Sequence, residues 1–183
     1  MARPKFRSHL MDATRCVHER LHAERRFAAL QAGNIDNADY DDLMAAMGGF
    51  YTAFDTYLLA ASDRLIATSH DYVYRPRAHL FPRVAAIECN LPYLATPAAL
   101  AGAVYVVDGA VLGGQMLGRL IQPYQRHPYW DWCASTGAVV WHAARALMSR
   151  VDTDAEARHR GAEAAFGVFT AFEAAMMPDK AIA

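Results

Sequence analysis

The chain has 183 residues, 54% of them hydrophobic and 20% charged, with a net charge of -1. Those figures fit one globular domain over 1–183 with a substantial core. The net charge gives no hint of nucleic acid or an anionic membrane as a partner, and neither is expected. Eight histidines against three cysteines favour imidazole chemistry over thiolate chemistry. Cys16, Cys89 and Cys133 are widely spaced and form no Cys-x-x-Cys pair, so neither a disulfide framework nor a structural zinc site is indicated. The basic start (Arg3, Lys5, Arg7) lacks an apolar run of signal-peptide length, so the expectation is a cytoplasmic protein without a leader.

Residues 5–31 predict a first long helix. Leu10, Thr14, Val17, Leu21 and Ala28 share one arc at helical spacing, with His18 at its border and His22 one turn on. Gly33 closes this helix, and Asn34-Ile-Asp-Asn37 is a turn rich in N-cap residues. Residues 40–63 predict a second helix with Leu43, Met47, Tyr51, Phe54 and Leu58 on its apolar face. The Gly48-Gly49 pair inside it marks a bend or close packing. Residues 70–77 predict a loop, and residues 82–90 a short helix ending before Pro92.

Pro97 opens the next helix, which stops before Pro123. This apolar segment carries Gly109, Gly113, Gly114 and Gly118, each costing about 0.5–1 kcal/mol relative to Ala. Gly109 and Gly113 share a face without side chains. Two readings of that face stand: tight packing against another helix, or the approach of something flat to the backbone. The segment is also apolar enough to resemble a packed membrane helix. Asp108 in mid-span and the lack of a second span favour a buried central helix.

Residues 123–128 predict a loop. Residues 130–149 predict a helix with Trp132, Val139, Val140, Ala143 and Leu147 inside. Asp152-Thr-Asp154 offers a cap for the last helix, which runs to about 177 with the stripe Phe166, Phe169, Phe172 and Met176. That stripe is either core or one wall of a pocket. No segment alternates with the period of a sheet. The predicted class is all-α, a compact bundle of helices around a buried central helix.

Two sets of residues offer metal chemistry. His18 and His22 lie four apart, so they can share a metal or one can orient the other. Glu19-Arg-Leu-His22 and Glu156-Ala-Arg-His159 are Glu-x-x-His motifs of the kind used by di-iron bundles, which also need a glutamate from each of two further helices. Here Glu88 and Asp108 are the acidic residues available for that role. No nucleophile elbow and no phosphate-binding glycine loop is present.

In order along the chain, four stretches resemble the heme oxygenase family in its bacterial, bacteriophytochrome-associated branch. Leu10-Met-Asp-Ala-Thr-Arg-Cys-Val-His18-Glu-Arg-Leu21 resembles the proximal helix. Residues 40–54 resemble the second-helix pattern. Tyr105-Val-Val-Asp-Gly-Ala-Val-Leu-Gly-Gly-Gln115 resembles the glycine-kinked distal helix, and residues 165–172 resemble the closing helix. The resemblance implies a heme oxygenase-like bundle with heme between the proximal and distal helices. It implies His18 as the axial ligand of heme iron, and Gly109 and Gly113 as the backbone that passes close over the heme face. It also implies Phe166 and Phe172 as pocket lining. The implied activity is oxidative cleavage of heme to biliverdin, releasing iron and carbon monoxide. Heme would be both substrate and prosthetic group, with O2 as oxidant and electrons from an external reductant such as ferredoxin or a reductase. A phytochrome that accepts biliverdin is a further implied partner.

The chain departs from that pattern in three places. Ala110 stands where many members have an aspartate and this branch a serine, so water near the iron would be organised by backbone carbonyls or by Asp108. His22 stands where the proximal histidine commonly meets a glutamate. Asn90-Leu91 stands where the branch has Asp-Leu. The first two leave a second expectation open, a heme-binding or heme-sensing protein with little turnover. Arg26 and Arg126 are candidate partners for the heme propionates, or solvated surface arginines.

Overall fold

A computed structural model describes residues 5–65 and 72–177. Among them are six α-helices and no strand. They are α1 (Lys5–Ala23), α2 (Arg25–Gln31), α3 (Asn37–Leu65), α4 (Pro97–Leu117), α5 (Pro128–Val151) and α6 (Ala155–Met176). Two short 3-10 turns, Ala78–Leu80 and Pro123–Gln125, interrupt the connections. His70 and Asp71 of the expected loop lie outside the described residues, and 72–77 is irregular.

The expected single helix over 5–31 is two helices. Glu24 leaves the helical conformation at ψ 137, and its carboxylate accepts from the Arg26 and Phe27 amides at 2.9 and 3.1 Å. A glutamate thus restarts the helix by serving as an N-cap. Gly33 closes α2 at φ +69, the left-handed geometry that favours glycine. Asp36 then caps α3 by accepting from the Asp39 amide at 2.8 Å.

The expected helix over 82–90 does not form. The chain leaves the 3-10 turn through Pro82 and Arg83, which has φ 71, and runs without helix to Ala95. Tertiary contacts override a weak local preference here. A Cβ on Gly48 would sit 2.8 Å from the Phe81 Cβ, and one on Gly49 would sit 2.7 Å from Ile87 Cγ2. The Ile87 amide also donates to the Gly49 carbonyl at 3.4 Å. The glycine pair of α3 is therefore the seat for this strap of irregular chain.

Thr96 caps α4 by accepting from the Ala99 amide, with Pro97 in the first turn. The helix packs mainly on α5 and α6, while α1 packs on α6. Residues 98–104 are almost wholly buried, as expected of a central helix. A Cβ on Gly102 would drive into the Gly161 carbonyl, and one on Gly161 would drive into the Phe6 ring. Small residues thus bring α4, α6 and α1 into direct register. Among the described residues, α4 is the one helix long and apolar enough to cross a bilayer, and 56% of its apolar window is buried inside the fold.

Two residues expected inside lie outside. Val139 is 56% exposed and Phe166 is 43% exposed. Each sits at the edge of an apolar arc wider than the surface its helix packs against. Asp154 caps α6 as expected, accepting from the Ala157 amide at 2.8 Å.

Candidate functional site

The imidazole pair sits on α1, whose apolar face (Leu10, Thr14, Val17, Leu21) turns inward and leaves His18 and His22 exposed. Their Nε2 atoms approach to 3.2 Å, and the rings tilt at 47° with centroids 4.3 Å apart. Phe169 of α6 meets the His18 ring edge-on at 5.9 Å. Partial burial pulls the His18 pKa below its ordinary value, His22 lowers it further, and Glu19 opposes both. The shift favours the neutral imidazole, the form that can ligate a metal.

The glycines of α4 divide into two groups. A Cβ on Gly114 would sit 2.6 Å from Cys133 Sγ, and one on Gly118 would sit 3.1 Å from both the Trp130 Cβ and the Gly114 carbonyl oxygen. Packing against α5 accounts for Gly114 and contributes at Gly118. Gly109 and Gly113 differ. A Cβ on Gly109 would make ordinary contact with Trp141 at 3.6 Å, and one on Gly113 would meet nothing within 4 Å. No protein neighbour requires these two to lack side chains.

Asp108 stands beside Gly109 in sequence and is 1% exposed. It accepts from Arg77 Nη2 at 2.5 Å and from the Tyr72 hydroxyl at 2.6 Å. Burial pushes its carboxyl up, while Arg77 and Tyr72 pull it back. Arg77 is fully buried, with Tyr51, Tyr74 and Trp132 rings within 5.0–5.6 Å of its guanidinium carbon. Its amide donates to Asp55 Oδ2 at 2.6 Å, and its Nε has no hydrogen-bond partner. Sequence reasoning missed Arg77, Tyr72 and Asp55. The irregular stretch holds Arg75, Arg77 and Arg83, and nothing local singles out Arg77, because its carboxylate partners lie on α3 and α4.

The remaining candidates are spread over the surface and core. Arg26 donates to Glu24 at 3.1 Å and to the Met176 carbonyl. Arg126 pairs with Asp131 at 2.7 Å. Phe172 is buried against Phe27 and Phe50, with centroids at 6.5 and 5.0 Å. The two Glu-x-x-His motifs do not meet: His22 contacts His18, while His159 faces Glu163 at 3.3 Å and Glu156 binds Arg160. Among the described residues no three His, Cys, Asp or Glu side chains cluster as a metal site.

Chemically, the arrangement offers a neutral imidazole donor on α1 and a bare, open backbone face on α4. The exposed imidazole can ligate a metal ion, and a side chain added at Gly113 would meet open space. The contacts of His18 run to α1 and α6 and those of Gly109 to α5. The arginines proposed for propionates already hold carboxylates or a carbonyl, and Arg126 is the more exposed of the two. The chain matches no model of a known protein family, and no curated protein is significantly similar to it.

Proposed function

We propose that this protein is a heme-degrading monooxygenase of heme oxygenase type, opening heme to biliverdin with release of iron and carbon monoxide. The observation that carries the reading is the division of the α4 glycines. Gly109 and Gly113 cost helix stability without serving packing, and they fall where the resemblance expects the backbone to approach heme. Heme would be substrate and prosthetic group, supplying the iron that activates O2 and the ring that is oxidised. The electrons would come from a separate donor such as ferredoxin or a reductase. The setting would be cytoplasmic, with a phytochrome as one acceptor of the product.

Within that reading His18 would supply the nitrogen that holds heme iron. Its Nε2 is engaged by His22 at 3.2 Å, so ligation requires His22 to release it. Phe169 shields one side of the imidazole from water. Gly109 and Gly113 admit the ring plane, and Ala110 adds a methyl group rather than a proton donor. The second reading, a heme binder with little turnover, has its own observation. Asp108, beside Gly109 in sequence, is 1% exposed and its oxygens accept from Arg77 and Tyr72, which keeps this carboxylate from ordering water over the glycines.

The test is an absorption spectrum of the protein with hemin, before and after a reductant is added in air. A Soret band that forms and then decays as a broad red biliverdin band grows supports the enzyme. A Soret band that survives turns the reading to a heme binder. In His18→Ala the Soret band is lost or sharply weakened; unchanged hemin binding there removes His18 as ligand.

A further inference from the structure

The distance between the two imidazole nitrogens has a second meaning. Two metal–nitrogen bonds of about 2.0–2.1 Å place their nitrogens about 3.3–3.4 Å apart at a tetrahedral angle, and about 2.9 Å apart at a right angle. The observed Nε2···Nε2 separation of 3.2 Å lies between these values. Both nitrogens lie on one exposed helix face one turn apart, so small side-chain rotations can turn their lone pairs toward a common ion.

We propose that His18 and His22 form a two-imidazole chelate for a borderline divalent transition-metal ion such as Zn2+, Ni2+ or Cu2+. The ion takes the place of the proton between the two nitrogens, and the donor ring holds its proton on Nδ1 instead, so neither side chain must move far. Imidazole nitrogens suit these ions better than Mg2+ or Ca2+, which prefer oxygen. Among the described residues no third protein ligand joins the pair, so water completes the coordination. Arg20, on the same helix, is neutralised by Glu173 through two bonds of 2.6 Å. Phe169 closes one side and leaves the other open to the ion.

If His18 ligates heme, as proposed above, the chelate and heme compete for the same nitrogen. A divalent ion then holds the protein in a form that cannot take heme. This exclusion rests on the heme reading; the chelate itself does not.

The experiment is calorimetric titration with Zn2+ of the protein and of three variants, His18→Ala, His22→Ala and His159→Ala. The His159 variant controls for unrelated surface histidines. The expected result is one Zn2+ site that either α1 variant weakens by at least about tenfold and the control leaves alone. Zn2+ binding unchanged in either α1 variant overturns the chelate. Hemin is then titrated with and without saturating Zn2+. Suppression of the Soret band by Zn2+ upholds the exclusion, and an unaffected Soret band overturns it. A Zn2+ site in a protein that forms no Soret band upholds the chelate and overturns only the heme reading.

Discussion

At the scale of single residues, the glycines of α4 separate two pressures that spacing alone cannot. Gly102 is there because α6 is against it; Gly113 faces open space. Gly113→Ala is therefore expected to stabilise the fold by about 0.5–1 kcal/mol, the ordinary helix preference for alanine. Gly102→Ala is expected to destabilise it by at least about 1–3 kcal/mol, since backbone must shift to admit the methyl. Urea melts measure both. If Gly113→Ala gains stability and also loses hemin affinity, the glycine serves a ligand rather than the fold. His18 carries a second expectation at this scale. Its depressed pKa means the folded state binds its proton less readily than the unfolded chain does. Its contribution to folding is thus least favourable in acid and is relieved as pH rises through about 6.5, the unfolded value. An NMR titration should give a His18 midpoint below that value, and His22→Ala should move it upward because one of its two lowering causes is gone. A midpoint at or above the ordinary value would show that the pair is not formed in solution.

At the scale of elements, three helix boundaries were legible, while the break at Glu24 and the strap between α3 and α4 were not. Gly33, Pro97 and Asp154 signal their boundaries through local chemistry, and the structure uses each as expected. The strap over 82–90 is held by contacts to Gly48 and Gly49, and no local pattern records a contact that distant. The same holds for Arg77, whose role exists only because α3 and α4 bring Asp55 and Asp108 to it. His18 and His22 were legible as a pair because helical spacing alone brings them together. The Arg77–Asp108 pair carries an asymmetry. Asp108→Asn leaves a fully buried guanidinium that cannot give up its proton, so the expected cost is about 3–5 kcal/mol. Arg77→Met leaves a carboxyl that burial already pushes up, and which can neutralise itself by binding a proton. That variant should be the less damaged of the two, and its deficit against the parent should shrink as pH falls from 7 toward 5. Equal deficits at both pH values would mean that Asp108 stays charged without its partner.

At the scale of the whole molecule, one carboxylate joins the first helix to the last. Asp152, at the end of α5, accepts from the Phe6 amide at 3.1 Å across 146 residues of sequence. Its other oxygen accepts from Arg158 Nε of α6 at 2.6 Å. The first-turn amides of α1 lack partners within their own helix, so Asp152 supplies from afar what a local cap supplies elsewhere. Phe6 in turn lies against Gly161, so the polar clasp and a close apolar contact of α1 act at the same place. Asp152→Ala removes both bonds, and each bond to a charged group contributes about 1.5–3 kcal/mol at most. With partial exposure of the Arg158 pair, the expected loss is about 1–3 kcal/mol, or a Tm lower by about 2–12 °C for a chain of this size. Asp152→Asn keeps an acceptor for the Phe6 amide but gives up the charge that faces Arg158. It should therefore lose less stability and leave the first turn of α1 ordered. Hydrogen exchange distinguishes the two bonds. The α1 first-turn amides should exchange faster in Asp152→Ala than in Asp152→Asn, while those of the α6 first turn respond alike in both. Equal exchange of the α1 amides in the two variants would show that packing of Phe6 on Gly161 alone holds the first helix in place.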